Sequence, residues 1–238
     1  MGLRNSNLVE KEYYHIYNRG NGKNKIFNSK ENYDRFTKLL YICNSEKSFK
    51  FRDSIIDQKI DAWDFDRREP LVEICAWVLM PNHFHIILIF HKSDLWSKKH
   101  NPITEFMRKL STAYAMYFNK KYNRTGSLFE GKFKSKHIGK DNYFNYLFSY
   151  IHLNPIKLIQ SDWKENGIKN KKEAISYLTD FQYSSFQDFY SMSRKESKII
   201  NKSSLPESFK YNHINELFEW INSFPQVGPV GTVGKLRS

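Results

Sequence analysis

Two apolar, β-prone runs separated by a pair of turn-forming residues constrain this chain more than any other feature. Leu71 to Met80 and His85 to Phe90 are the runs, and Pro81-Asn82 lies between them. A connection that short joins antiparallel neighbours, so the segment predicts a two-strand hairpin. The runs are continuously apolar, which places the strands at the centre of a sheet, covered on at least one face. His83 and His85 would then begin a buried strand.

The rest of the chain supplies elements to cover such a hairpin. Glu12 to Asn18 alternates aromatic and polar residues and reads as a strand, and Arg19-Gly20-Asn21-Gly22 turns the chain. Ser29 is a candidate N-cap for a helix carrying Tyr33, Phe36, Leu39, Leu40 and Cys43 on one face. Asn101 caps a long helix with Pro102 at its first position and Ile103, Phe106, Leu110, Ala113, Tyr114 and Tyr117 as its stripe, running to about Asn123. Ser127 to His137 returns to alternation, with Phe129 and Phe133 on one side and Lys132, Lys134 and Lys136 on the other. A further helix runs from Asp141 to Pro155. Strand, helix, two strands, helix, strand, helix is the order of an α+β fold: a ferredoxin/RRM-like antiparallel sheet with helices on its faces. Residues 1–159 are expected to form this unit, 160–224 a C-terminal helical extension, and 225–238 a flexible tail. Phe51 to Pro70 reads as a loop or hairpin insertion, Ser93 to His100 as a polar connection, Lys164 to Lys172 as a basic loop, and Ser193 to Ser204 as a linker. Ala174 to Tyr190 has room for one or two short helices, and a terminal helix is expected around Glu216 to Asn222.

Charge narrows the partners. With 38 Lys and Arg against 25 Asp and Glu, the chain carries +13, which favours polyanions such as nucleic acid. Surplus lysine also follows from an AT-rich genome, and the abundance of Asn, Lys, Ile and Tyr allows that explanation. There is no apolar run of membrane-spanning length, and Met1 to Lys11 is polar without the apolar centre of a signal peptide. A soluble, cytoplasmic, nucleoid-associated protein is expected. Cys43 and Cys75 lack metal-type spacing and read as small core residues.

His83-Phe84-His85 carries the chemistry. Histidines two apart on a strand point to one side and can hold one metal ion between two imidazoles. A lone pair of this kind is more often structural. Imidazole ligands favour Mn²⁺ or Zn²⁺ over Mg²⁺, although abundance can reverse that order. Downstream, Tyr150 and Asn154 are four apart on a helix and share a face. A phenol could act as nucleophile once a metal or a phosphate network helps it lose its proton. Tyr143, Tyr146 and Tyr150 lie on overlapping faces, so spacing does not choose among them. Asn154 could complete a metal shell or simply end the helix before Pro155. The combination suits cutting and rejoining a nucleic-acid strand.

Met80-Pro81-Asn82-His83-Phe84-His85-Ile86, followed by Tyr150-Ile151-His152-Leu153-Asn154-Pro155, resembles the single-tyrosine HUH transposases, with a closer match to the REP-associated tyrosine transposases. Tyr14 to Gly20, Gly126 to Lys134 and Tyr183-Ser184-Ser185-Phe186 also fit, so the likeness covers roughly the first 190 residues. The resemblance implies an HUH endonuclease fold and a substrate of single-stranded DNA beside an imperfect hairpin. It implies a divalent ion, Mg²⁺ or Mn²⁺, held by His83, His85 and Asn154, and Tyr150 as the nucleophile that becomes joined to the DNA 5′ end. Resealing by reversal would need no nucleotide triphosphate, which agrees with the absence of a P-loop motif. The insertion at 51–70 and the region after Ser193 depart from compact members. Both monomers and homodimers occur among relatives, and a monomer is the expectation here.

Candidate DNA contacts are Lys132, Lys134 and Lys136 as a phosphate track leading into the Tyr150 helix, with Arg124 and Lys140 flanking it. Tyr17 and Arg19 could stack on or contact unpaired bases. A solvated strand edge and ordinary core packing are the competing readings of these residues. Two other functions compete: a domesticated hairpin-binding protein without turnover, and a metal-dependent hydrolase using water. The second ranks last because no dense carboxylate cluster is present.

Overall fold

The computed structural model describes residues 8–48, 50–91, 101–190, 193–209 and 214–223. The chain runs through β1 (Tyr13–Arg19), α1 (Lys30–Ile42), β2 (Glu73–Met80), β3 (His83–Ile89), α2 (Pro102–Lys121), β4 (Lys134–Ile138) and α3 (Asp141–Leu153). Four short helices follow: α4 (Trp163–Asn166), α5 (Lys171–Asp180), α6 (Phe186–Tyr190) and α7 (Ile214–Ser223). The four strands form one antiparallel sheet in the order β2-β3-β1-β4. With the element order β-α-β-β-α-β, this is the ferredoxin-like α+β arrangement expected from the sequence.

The hairpin strands lack alternation because the sheet is buried on both faces. Trp77, Leu79, Phe84, Ile86 and Leu88 enter a core with α1 and α2. Their neighbours Ala76, Val78, Met80, Ile87 and Ile89 enter a second core with α3 and residues from the C-terminal region, including Trp163, Leu178, Phe186 and Leu217. Cys43 and Cys75 are free and buried. Burying each large apolar side chain is worth about 1.5–3 kcal/mol, so each layer contributes substantially to holding the sheet.

Local signals explain most boundaries. Asn101 Oδ1 accepts from the Ile103 amide at 3.0 Å, capping α2 where Pro102 begins it. Ser29 occupies the N-cap position of α1, but its hydroxyl receives a hydrogen bond from Lys121 Nζ at 3.3 Å and caps no amide. The chain after α5 covers the free edge of β2: Leu79 N donates to Tyr183 O, Ser185 N to Trp77 O, and Asn201 N to Ile74 O, each at 2.9 Å. An edge so covered cannot pair with another chain.

Three expectations are corrected. β4 begins only at Lys134, and Lys132 lies in a bend before it. Leu128, Phe129 and Phe133 all enter the α1–α2 core, and that packing, with Gly126 at φ 83°, breaks the alternation. Lys164 to Lys172 is not a continuous loop, because α4 forms within it and α5 begins at Lys171, capped by Asn170 Oδ1 accepting from Glu173 N. Ser193 to Ser204 is no linker: it folds into 3-10 turns whose Ile199 is buried and whose Ile200 bridges Ile74. The insertion at 51–70 contains helical turns at Arg52–Ile56 and Ala62–Asp64 and no strand. The connection expected at 93–100 and the tail at 225–238 lie outside the described residues. No helix among the described residues is long and apolar enough to cross a membrane.

Candidate active site

Strand registers place the candidate residues on the α3 face of the sheet. Tyr17 is opposite His85 and Arg19 opposite His83 across β1 and β3, while Tyr17 is opposite Lys134 and His15 opposite Lys136 across β1 and β4. With a period of two, all of these side chains project to the same side. The rings of His83 and His85 have centroids 5.0 Å apart.

Hydrogen bonds define what each imidazole offers. Asn82, from the hairpin turn, donates through Nδ2 to Lys23 O at 3.1 Å, which leaves its Oδ1 to contact His83 Nδ1 at 2.7 Å. An amide oxygen can only accept, so His83 Nδ1 carries the proton and Nε2 keeps its lone pair. His85 Nδ1 lies 2.9 Å from His15 Nε2, and His85 Nε2 is buried without a hydrogen-bond partner. If Nδ1 of His85 donates to His15, that orphaned Nε2 is likewise a free donor atom for a metal.

Both histidines are neutral near pH 7. Burial, reinforced by Lys157, Lys164 and Arg19, pulls His83 down to about 4. Burial, then His15, His83 and Lys164, holds His85 well below its ordinary value. Neutral imidazole is the ligating form, so the pair fits Mn²⁺ or Mg²⁺ chemistry, with the nitrogen donors better suited to Mn²⁺. Among the described residues no three His, Cys, Asp or Glu side chains gather as a metal-binding group. The carboxamide of Asn154 is one candidate for a third protein donor.

Of the three tyrosines on α3, Tyr150 is the one set against the histidines. Its ring meets that of His85 edge-on at 5.5 Å, while Tyr146 stacks on it at 6.4 Å and Tyr143 lies one step further along. Tyr150 is 5% exposed. Burial pushes its phenol up to about 12, an effect opposed in part by the Asn154 carboxamide and reinforced by Tyr146. Asn154 is 2% exposed at the start of the 3-10 turn that follows α3, and its Nδ2 has no hydrogen-bond partner. A buried amide without a partner is costly, and a flipped carboxamide would put its oxygen, a cation donor, in the place of the unpartnered Nδ2.

The expected DNA contacts separate. Tyr17 is half-buried, stacks on His15 at 4.8 Å and lies 5.9 Å from His85. Lys134 and Lys136 are exposed on the same side of the edge strand, with the Lys136 ammonium 4.5 Å from the Tyr143 ring centre. Arg19 pairs with Glu130, Nη2 to Oε1 at 2.7 Å, so its charge already has a partner. Lys140 is exposed at the N-cap of α3. Lys132, off the strand, does not share the register of Lys134 and Lys136. Arg124 follows α2, its guanidinium 5.6 Å from the ring of Phe118 in the opposite core, and is not brought against Tyr150.

Sequence reasoning missed several residues. His15 supports His85 from β1. Lys164 on α4 sits with its ammonium 3.9 Å from the Tyr150 ring centre. His152, between Tyr150 and Asn154 in sequence, faces away: its Nε2 meets Ser185 Oγ at 2.8 Å and its Nδ1 meets Phe148 O at 3.0 Å. The motif Tyr183-Ser184-Ser185-Phe186 thus fixes the rotation of α3 through a fully buried contact. These pairings span 70 and 33 residues for His15–His85 and His152–Ser185. Periodicity reports neighbours three or four apart and cannot signal contacts at such separations.

No protein-family model matches the chain, and no curated protein matches it. Among solved structures the chain is similar to a REP-associated tyrosine transposase bound to a REP hairpin, with 14% identity and a TM-score of 0.46 over 79% of this chain and 85% of that one.

Proposed function

We propose that this chain is a metal-dependent DNA strand transferase that cuts and rejoins single-stranded DNA beside a hairpin, with Tyr150 as nucleophile. The observation that carries the reading is the juxtaposition of Tyr150 with His85, 5.5 Å between ring centres, where His85 keeps a buried, unpartnered Nε2. The motif resemblance of His83-Phe84-His85 and Tyr150 to Asn154 supports the same assignment.

In this reading His83, His85 and Asn154 hold a divalent ion, which when bound supplies charge to polarise the scissile phosphate. Tyr150 Oη attacks phosphorus: the Oη–P bond forms, the P–O3′ bond breaks, and the phenolic proton is transferred on balance to the departing 3′-hydroxyl. The DNA 5′ phosphate stays on the enzyme until a 3′-hydroxyl reverses the step. Because phenol and phosphodiester exchange esters, no external energy source is required. A pKa near 12 holds Tyr150 protonated at rest, so the phenol keeps its proton until it attacks. Tyr17, Lys134 and Lys136 line the same face and would receive bases and phosphates of the unpaired strand.

The test is a denaturing gel with labelled single-stranded oligonucleotides from the DNA flanking the coding region, with Mn²⁺, Mg²⁺ or EDTA. Wild type is expected to give a metal-dependent covalent band that Tyr150→Phe lacks. A band that survives in Tyr150→Phe would move the nucleophile elsewhere. The 5% exposure of Tyr150 favours a second reading, hairpin binding without turnover, since a phosphate must displace neighbours to reach the phenol. Hairpin binding retained in His83→Ala/His85→Ala, with no adduct under any metal, would select it.

A further inference from the structure

We propose that Lys164 is a further catalytic residue of this site, its ammonium leaving the Tyr150 ring to hold a non-bridging oxygen of the phosphate that Tyr150 attacks, with Lys157 as a second positive charge beside it. The assignment rests on the strand-transfer reading above and deepens it.

The argument begins with how Lys164 comes to be there. The chain leaves α3 through the Asn154–Leu158 turn and folds back, Gln160 N donating to Ile156 O at 2.7 Å. Trp163, 1% exposed, inserts into the α3-side core and anchors α4. That anchor sets the adjacent Lys164 over Tyr150, ammonium to ring centre 3.9 Å. The residue as a whole stays exposed while its ammonium, laid over the ring, is shielded from part of the solvent, so the head can swing towards an incoming ligand.

Its electrostatic surroundings have a vacant place for an anion. Among the described residues no carboxylate comes within salt-bridge distance of Lys164 or Lys157. Among the described residues the ammonium rests on the π face of Tyr150, with a longer contact to the Trp163 ring at 5.8 Å. Loss of solvent, then repulsion from Lys157, pulls the Lys164 ammonium down to about 8, with Glu165 offsetting only part of this. Lys157 and Lys164 also act on His83, so the two charges and the histidines share one locality. The Lys164 ammonium over Tyr150 and the neighbouring Lys157 charge repel each other in the resting protein, and a non-bridging oxygen of the phosphodiester monoanion between them converts that repulsion into attraction. A ring face is a weaker partner for an ammonium than a phosphate oxygen in a charge-assisted hydrogen bond, so the exchange is downhill. Lys164 gains and loses no proton or bond in the step; it offsets negative charge on phosphorus oxygens as the P–O3′ bond breaks.

The experiment compares wild type, Lys164→Met and Lys164→Arg on the same labelled single-stranded stem-loop oligonucleotides, after circular dichroism shows equal melting. Two quantities are read: the rate of covalent adduct formation with Mn²⁺, and the slope of log affinity against log salt. Lys164→Met is expected to slow the adduct by at least about tenfold, with Lys164→Arg restoring most of the rate. The salt slope is expected to fall by about 0.7, the share of one phosphate contact on a single strand. A residue that merely packs on Tyr150 would leave the slope unchanged, and methionine would keep the packing. Adduct formed at the wild-type rate by Lys164→Met would overturn the role and leave the strand-transfer reading standing. Absence of adduct even in wild type would sink that reading, and the slope then decides: unchanged in Lys164→Met, it removes Lys164 from the phosphate path as well; lowered, it keeps the phosphate contact.

Discussion

His15 shows what the site demands of a single residue. It is wholly buried, pulled down to about 3 first by burial and then by Lys136, and its one hydrogen-bond contact is His85 Nδ1 at 2.9 Å. For His85 to offer Nε2 to a cation, Nδ1 must carry the proton and His15 Nε2 must accept it. His15 therefore sets both tautomer and ring orientation, the role that partners of metal-bound imidazoles commonly play. His15→Phe keeps the ring volume and removes the acceptor. Mn²⁺ affinity, followed by electron paramagnetic resonance without DNA, is expected to weaken about 10–100-fold in this variant. An unchanged affinity would show that His85 orients itself, or that the ion does not bind there. His83, by contrast, depends for the same service on Asn82, which the sequence marked only as a turn residue. The HxH spacing was readable because it lies within β3, and the Tyr150–Asn154 spacing because Asn154 continues the helical backbone one turn beyond Tyr150. The His15 and Lys164 contacts were not, because they depend on strand order and on a chain reversal after α3.

Among the elements, α3 carries the proposed nucleophile, so what fixes α3 would fix the proposed chemistry. The hairpin and the long helices could be read from apolar runs and capping residues, whereas the order of strands within the sheet could not. Nor could the start of β4, because Phe129 and Phe133 keep the spacing of alternation while the adjacent Leu128 packs into the same core. The role of residues 183–186 was also hidden: as a short polar motif they look like a loop, yet they close the β2 edge and grip α3. Ser185 Oγ receives Trp77 N at 2.9 Å and meets His152 Nε2 at 2.8 Å, so one hydroxyl ties sheet, helix and C-terminal chain. Ser185→Ala strands a buried amide and a buried imidazole nitrogen. Urea unfolding is expected to register a loss of about 1–3 kcal/mol for this one change. The same variant should slow adduct formation without altering the salt slope, since no charge facing DNA is touched. A Ser185→Ala protein as stable as wild type would mean that water or a shifted chain replaces the hydroxyl.

For the molecule as a whole, the buried histidines tie its stability to pH. His15 and His152 are held at about 3 by burial, the latter despite its hydrogen bond to Phe148 O, and His83 is held at about 4, again chiefly by burial. All three lie below the ordinary value of about 6.5 that they regain on unfolding. Between the folded and unfolded values the unfolded chain binds more protons, so stability rises with pH there and falls as pH is lowered. The full contribution is present above about 6.5, and each histidine removes at most roughly 1.4 kcal/mol per pH unit below it, until its folded value is reached. Three such groups acting together over even two pH units would consume most of the 5–15 kcal/mol typical of a folded domain. Acid unfolding is therefore expected with a midpoint between about pH 4 and 6, ahead of the carboxylates, when followed by circular dichroism in a metal-free buffer. On the proposed reading Mn²⁺ would bind only the neutral imidazoles of the folded site, so saturating metal should move the midpoint to lower pH by mass action. His152 lies on the far side of α3 and would keep its share of the transition when His83 and His85 are both replaced by Gln. A chain still folded at pH 4 without metal would mean that these imidazoles are reached by water, and that the α3 face is more open than its packing indicates.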